Sequence, residues 1–301
     1  MYEQIARNKR VTFLLIFGFA VLIALVTAAV AVLFDAGAYA VPIAVIVAIA
    51  MAWGSYWWSD KVALSVARAR PADGPEFQRL HNLVEGLCIA AGLPKPRVYY
   101  IVDPAPNAFA TGRNPKHAAI AVTTGLLERM NRVELEGVLA HELAHIKNYD
   151  ILLQTIAVTA VGSVVLISDF ALRFMFFGGR RRGSNNDAGG IVGLIIMLVA
   201  VVFLIFAPIA AKIMQMSMSR RREYLADASG VLLTRYPPGL ISALEKLRDD
   251  KAVVNHAPRA TEQMWIESPL NEKKDHRGSW LDRAFSTHPP LEDRIAALKE
   301  M

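Results

Sequence analysis

Residues 11–34, VTFLLIFGFAVLIALVTAAVAVLF, carry no charge, and residues 36–58 carry none either. Each run exceeds the roughly 20 apolar residues that a helix needs to cross a hydrocarbon core about 30 Å thick. In that core a lone segment satisfies its own backbone hydrogen bonds only as a helix. Residues 1–58 are therefore expected to form a transmembrane hairpin that turns near Asp35. A cleaved leader does not fit, because its apolar core would be about 7–15 residues long and here a second run follows at once. Two later runs extend the pattern. Residues 151–178 are interrupted only by Asp169 and Arg173, and residues 188–211 are uncharged. Asp169 and Arg173 stand four apart, so they pair on one helix face or lie at the interface. Four spans are the expectation; two spans plus a buried helical hairpin are the alternative.

Charge orients the first hairpin. Arg7, Lys9 and Arg10 precede it, and Lys61, Arg68 and Arg70 follow it. The positive-inside rule puts the N-terminus and residues 59–150 in the cytoplasm. The second hairpin is ambiguous, with Arg180, Arg181 and Arg182 in its loop and Lys212, Arg220, Arg221 and Arg222 after it. The net charge of +6 comes from residues beside the apolar runs, where anionic headgroups attract them. No nucleic-acid motif accompanies it, so nucleic acid is not an expected partner. Cys88 is the only cysteine, which rules out a disulfide framework. It lies in a stretch where Phe77, Leu80, Val84, Leu87 and Ala91 follow helical spacing, and it reads as a small buried residue.

The polar segments alternate helix and strand. A helix over about 76–91 is closed by Gly92 and Pro94. RVYYIV (97–102), APNAFATG (105–112) and HAAIAVTTG (117–125) read as short strands, the last two joined by the turn-like GRNPK. A second helix begins at Asn131, which can cap it with Glu134 as reciprocal partner. The polar segments thus read as an α+β cytoplasmic domain, interrupted by the second hairpin and resumed at about 213.

That second helix holds His141-Glu142-Leu143-Ala144-His145. Residues four apart share a helix face, with about 5–6 Å between Cβ atoms. Both imidazoles can therefore reach one tetrahedral Zn²⁺. Glu142 is turned about 100° away, near the metal's open position, where a general base takes a proton from activated water. A catalytic site needs a third protein ligand. A third histidine six residues after His145 is absent, because position 151 is Ile. Glu223 and Asp227, four apart in SRRREYLADASG, are the candidates. Glu223 suits ligation, and Asp227 suits a hydrogen bond that fixes a ligating imidazole. A surface ion pair of Glu223 with Arg220 or Arg222 is the competing reading.

HELAH, EYLAD after an apolar hairpin, HPPLEDR at 288–294 and PNAFATG at 106–112, in this order, resemble the HtpX family of membrane zinc metalloproteases, over nearly the whole chain. The resemblance implies a gluzincin-type endopeptidase of a bacterial or archaeal cytoplasmic membrane. The fold is then a mostly helical α+β integral membrane protein with four transmembrane helices. Its zincin-like metalloprotease domain is cytoplasmic and split by the second hairpin. The units are 1–58, the first hairpin; 59–150, the protease domain with the HExxH helix; 151–212, the second hairpin; and 213–301, the rest of the protease domain.

The resemblance also assigns residues. His141, His145 and Glu223 ligate one Zn²⁺ per chain, and Glu142 is the base and then the proton donor. Asp227 is the carboxylate behind the ligands. His288 steadies the oxyanion and Arg294 helps to place it. Asn107, Ala108, Phe109 and Ala110 form an edge strand on which extended substrate lies, since a strand edge pairs with peptide backbone whatever its side chains. From its residues alone, His288-Pro289-Pro290 reads as a turn before a helix.

His145 and Glu223 can share an ion only if an even number of crossings separates them, which the second hairpin supplies. The site then lies at the cytoplasmic bilayer surface. Met214, Met216 and Met218 read as a core or interface stripe, with a flexible substrate contact as the alternative. The expected substrates are membrane proteins, damaged or misfolded, and unfolded polypeptides. An exposed loop such as 180–190 would invite self-cleavage. The alternatives are a scaffold with a structural zinc, which has no use for Glu142, and a CAAX-type prenyl-protein protease, whose members have more spans than this chain.

Overall fold

The computed structural model describes residues 2–33, 40–156, 220–250, 252, 254, 264–266 and 289–301. The second hairpin beyond residue 156, the 180–190 loop, the three methionines at 214–218 and His288 lie outside the described residues.

The chain opens with two long helices, α1 (Tyr2–Leu33) and α2 (Ala40–Val66), packed on each other. They are 32 and 27 residues long and contain the charge-free stretches 11–33 and 40–58. Among the described residues, no helix is long and apolar enough to cross a membrane. Phe13, Leu14, Phe17, Ile46, Ile49 and Trp53 nonetheless face outward and are exposed. An exposed apolar surface of that kind marks an interaction site rather than a water-facing one.

Among the described residues, β1 (Arg70–Pro71), β2 (Arg97–Ile101), β3 (Ala108–Gly112) and β4 (Ala118–Thr123) form one sheet in the order β1-β2-β4-β3. β2 runs parallel to β4, with Val98 opposite Ile120; β3 runs antiparallel to it, with Ala110 opposite the same residue. The three longer strands fall within the stretches 97–102, 105–112 and 117–125, with β3 starting only at Ala108. The two-residue β1 is too short to show a period.

The pleat sorts the two faces. Ala108, Ala110, Ile120 and Val122 point into the main core, with α3 (Gln78–Ala91) and α5 (Arg132–Lys147). Phe109, Ala119 and Ala121 point the other way, against Ala63 and Leu64 of α2, Ala67 just after it, and Trp265. The sheet is thus buried on both faces, which accounts for its unbroken small apolar strands.

α3 buries Leu80, Val84, Leu87 and Cys88 and ends at Gly92, whose φ of 66° makes the left-handed cap. Burial pushes the Cys88 thiol up to about 11, so it is inert packing. A short helix, α4 (Thr124–Arg129), follows β4 directly. The strand expected over 117–125 therefore stops two residues early. The Thr123 hydroxyl ends it by accepting the Leu126 N–H as a helix cap. Among the described residues, later helices include α6 (Arg220–Thr234), α7 (Pro237–Asp249) and α8 (Leu291–Lys299).

Candidate metal centre

α5 starts with the capping box expected from the sequence. Asn131 accepts from the N–H groups of Val133 and Glu134, and Glu134 accepts from the Asn131 N–H. The Glu134 carboxylate also takes 2.6 Å hydrogen bonds from Ser242 and Lys246 of α7. The start of α5 is thereby fixed to its neighbour, and with it the angle at which the two histidines emerge.

α6 lies across α5, and Glu223, Asp227 and Gly230 share its inner face at the spacing of one helical stripe. A Cβ added at Gly230 would stand 3.0 Å from the His141 backbone nitrogen. The missing side chain lets α6 approach α5 closely enough for a carboxylate to reach both imidazoles. Nε2 of His141 lies 3.7 Å from one Glu223 oxygen, and Nε2 of His145 lies 3.6 Å from the other. The two Nε2 atoms are 3.1 Å apart. Ligand atoms of the three residues all lie within 4.8 Å of one another, and all three side chains are buried.

Each imidazole is held from behind by a carboxylate. Nδ1 of His141 is 2.8 Å from Asp227, and Nδ1 of His145 is 3.0 Å from Asp150. Such contacts fix the tautomer and direct Nε2 at an ion. Arg294 of α8, fully buried, donates two hydrogen bonds to Asp227, at 2.8 and 2.6 Å, and a third to the Ile266 carbonyl at 3.1 Å. It also stands 3.6 Å from Glu223. Burial alone would raise Asp227, but the charge and hydrogen bonds of Arg294 overrule it and bring the carboxyl down to about 2. The ionised form of Asp227 is thereby favoured.

The sequence reading did not include Asp150 or the residue behind it. Tyr149 adopts a left-handed backbone, φ 60°, which turns the chain back so that Asp150 faces His145. The other Asp150 oxygen accepts from the Asn8 amide at 2.7 Å, and that amide also donates to the Asn148 carbonyl at 3.1 Å. The start of α1 thereby touches the support of His145. A carboxylate five residues after His145 was a visible signal. Asn8, about 140 residues away in sequence, left none.

Burial is the main influence on Glu142 and pushes it up to about 7. Glu223 adds to the rise, while His145, Arg294 and the Ala110 N–H oppose it. That hydrogen bond connects the glutamate to β3, the edge strand of the sheet. Asn107 sits just before β3, and its carbonyl accepts from Thr123 on the β4 side. By alternation, Ala108, Ala110 and Gly112 present their backbone groups outward. This edge is partly engaged: the Ile266 N–H donates to the Ala108 carbonyl at 2.9 Å, and Trp265 packs on Phe109 with ring centroids 4.9 Å apart. A peptide laid along β3 meets this short strap beside the carboxylate.

The family model of peptidase family M48 matches residues 75–301, which include every residue of the centre except Asn8. The chain belongs to this family and is a metalloprotease. Among its relatives is a protease HtpX homologue of Dictyoglomus thermophilum, 42% identical over 300 residues that cover 100% of this chain and 94% of that one. Another, from Limosilactobacillus reuteri, is 44% identical over 306 residues and covers both chains fully, at 100% each. Among solved structures, S. mikatae Ste24p aligns with a TM-score of 0.48 and 18% identity, over 84% of this chain and 57% of that one, little more than half its length.

Proposed function

We propose that this chain is a zinc endopeptidase of the cytoplasmic membrane, with one Zn²⁺ held by His141, His145 and Glu223. The observation that carries the proposal is the convergence of two imidazoles and a carboxylate, each imidazole backed by its own aspartate. A buried set of two nitrogen donors and one oxygen donor suits Zn²⁺, and three protein ligands leave a fourth position for water or substrate. When bound, such an ion acidifies water and polarises the scissile carbonyl. Glu142 accepts the water proton and passes it to the leaving amine. A carboxyl raised to about 7 by burial is suited to hold and release a proton near neutrality. Arg294 keeps Asp227 ionised and positioned, and so holds His141. His288 completes the proposed set by steadying the developing oxyanion.

Substrate is proposed to lie extended along β3, from Asn107 to Ala110, sharing that edge with Ile266. Backbone pairing there makes the enzyme broad in specificity, as suits removal of damaged membrane proteins and unfolded chains, with self-cleavage included. The exposed apolar face of α1 and α2 and the positive flanks of both helices support a multi-pass protein with its site at the cytoplasmic surface. The purified full chain tests the metal assignment by element analysis. About one zinc per chain is expected, and Glu223→Ala should retain less than about a tenth of it. Full metal content in Glu223→Ala would overturn the third-ligand assignment.

A further inference from the structure

α2 ends its charge-free run at Trp57 and Trp58 and continues into Asp60 and Lys61. These residues form one wall of a cavity of about 450 Å³ whose other wall comes from β2 and the connection between β3 and β4. Lys61, Lys95, Arg97, Arg113 and Lys116 line it, against a single carboxylate, Asp60. That carboxylate is committed to Arg97 at 2.5 Å, and Lys95 pairs outward with Glu85 at 2.7 Å. Arg113 lies over the Trp57 ring, 4.4 Å from its centroid. Stacking fixes the guanidinium plane and leaves its N–H edge for a planar or tetrahedral anion.

We propose that this cavity binds a phosphate group, and that its source is the headgroup of an anionic phospholipid. The cations supply the charge, and Arg113 supplies directed donors. The indoles favour a lipid source. Trp57 is 40% exposed and Trp58 60% exposed, and tryptophans at the end of an apolar helix sit at headgroup depth. Basic pockets beside such helices on the cytoplasmic side are where acidic headgroups bind. None of the lining residues belongs to the metal centre. The proposal rests on the reading that α1 and α2 lie in the bilayer.

The test uses the full chain, delipidated in detergent, titrated with short-chain phosphatidylglycerol, short-chain phosphatidylcholine or inorganic phosphate while its thermal midpoint is followed. Phosphatidylglycerol should raise the midpoint and phosphatidylcholine should not. The double variant Arg113→Gln/Lys116→Gln should weaken the apparent affinity about 25-fold, at ~1 kcal/mol per cation near the surface, with metal content unchanged. Equal responses to the two lipids, or an unaltered response in the variant, would overturn the site. A response to inorganic phosphate as large as that to phosphatidylglycerol would overturn the lipid source. Extraction of the protein from membranes by alkaline carbonate is read separately. Release into the wash would contradict the bilayer reading itself, whereas retention without lipid discrimination counts against this cavity alone.

Discussion

At the scale of single residues, two chains of contacts run outward from the histidines. His141 leads through Asp227 to Arg294, and His145 leads through Asp150 to Asn8. Asn8→Ala removes the amide that fixes Asp150 without touching a ligand. Zinc affinity is expected to fall about tenfold or more, measured by competition with a chromogenic chelator, and Asn8→Gln should recover part of it. Unchanged affinity in Asn8→Ala would show that Asp150 is positioned without α1. The candidate ligands were legible in part: helical spacing brings His141 and His145, and likewise Glu223 and Asp227, onto one face each, while the family motif set Glu223 apart from a surface ion pair. Asn8 and Ile266 were not, since their roles depend on where distant segments dock and neither residue type announces a contact. Arg294 was picked out from a motif, and its bidentate hold on Asp227 came from the fold.

Among the elements, α5 carries the chemistry, and its capping box was readable at the residue level. Its attachment to α7 was not. Burial disfavours ionised Glu134, but hydrogen bonds from Lys246, Ser242 and the Asn131 N–H outweigh it and hold the carboxyl below its usual value. Because the folded pKa is depressed, this contribution is present above the ordinary carboxylate range and disappears as pH falls through the lowered value. Glu134→Gln should cost about 2 kcal/mol at pH 7, read from denaturant midpoints. The gap to wild type should narrow below pH 4.5, the usual value. A gap that stays constant down to acid pH would mean that the ionised form of Glu134 adds nothing.

For the whole molecule, the candidate metal centre sits where the α+β body meets α1, whose Asn8 holds the carboxylate behind His145. The three longer strands and the helices at 78–91 and 132–147 were legible from residue pattern and turn residues, whereas β1, α4 and α7 were not. Nor was the strap at 264–266, since three residues on a sheet edge carry no period. α1 and α2 are proposed to lie in lipid. The protein should therefore remain in the pellet after alkaline carbonate washing, and vesicle-bound protein should lose Trp57 and Trp58 fluorescence to quenchers placed near the headgroups. Complete release into the wash would contradict that placement. The central claim is that the centre is catalytic and that Glu142 moves the proton. The most direct measurement compares wild type and Glu142→Gln, each purified with chelator and resupplied with zinc, for bound metal and for cleavage of an unfolded protein. Both should hold about one zinc per chain, and the variant should cut at least about a hundredfold more slowly. Equal cleavage by the two would contradict the claim.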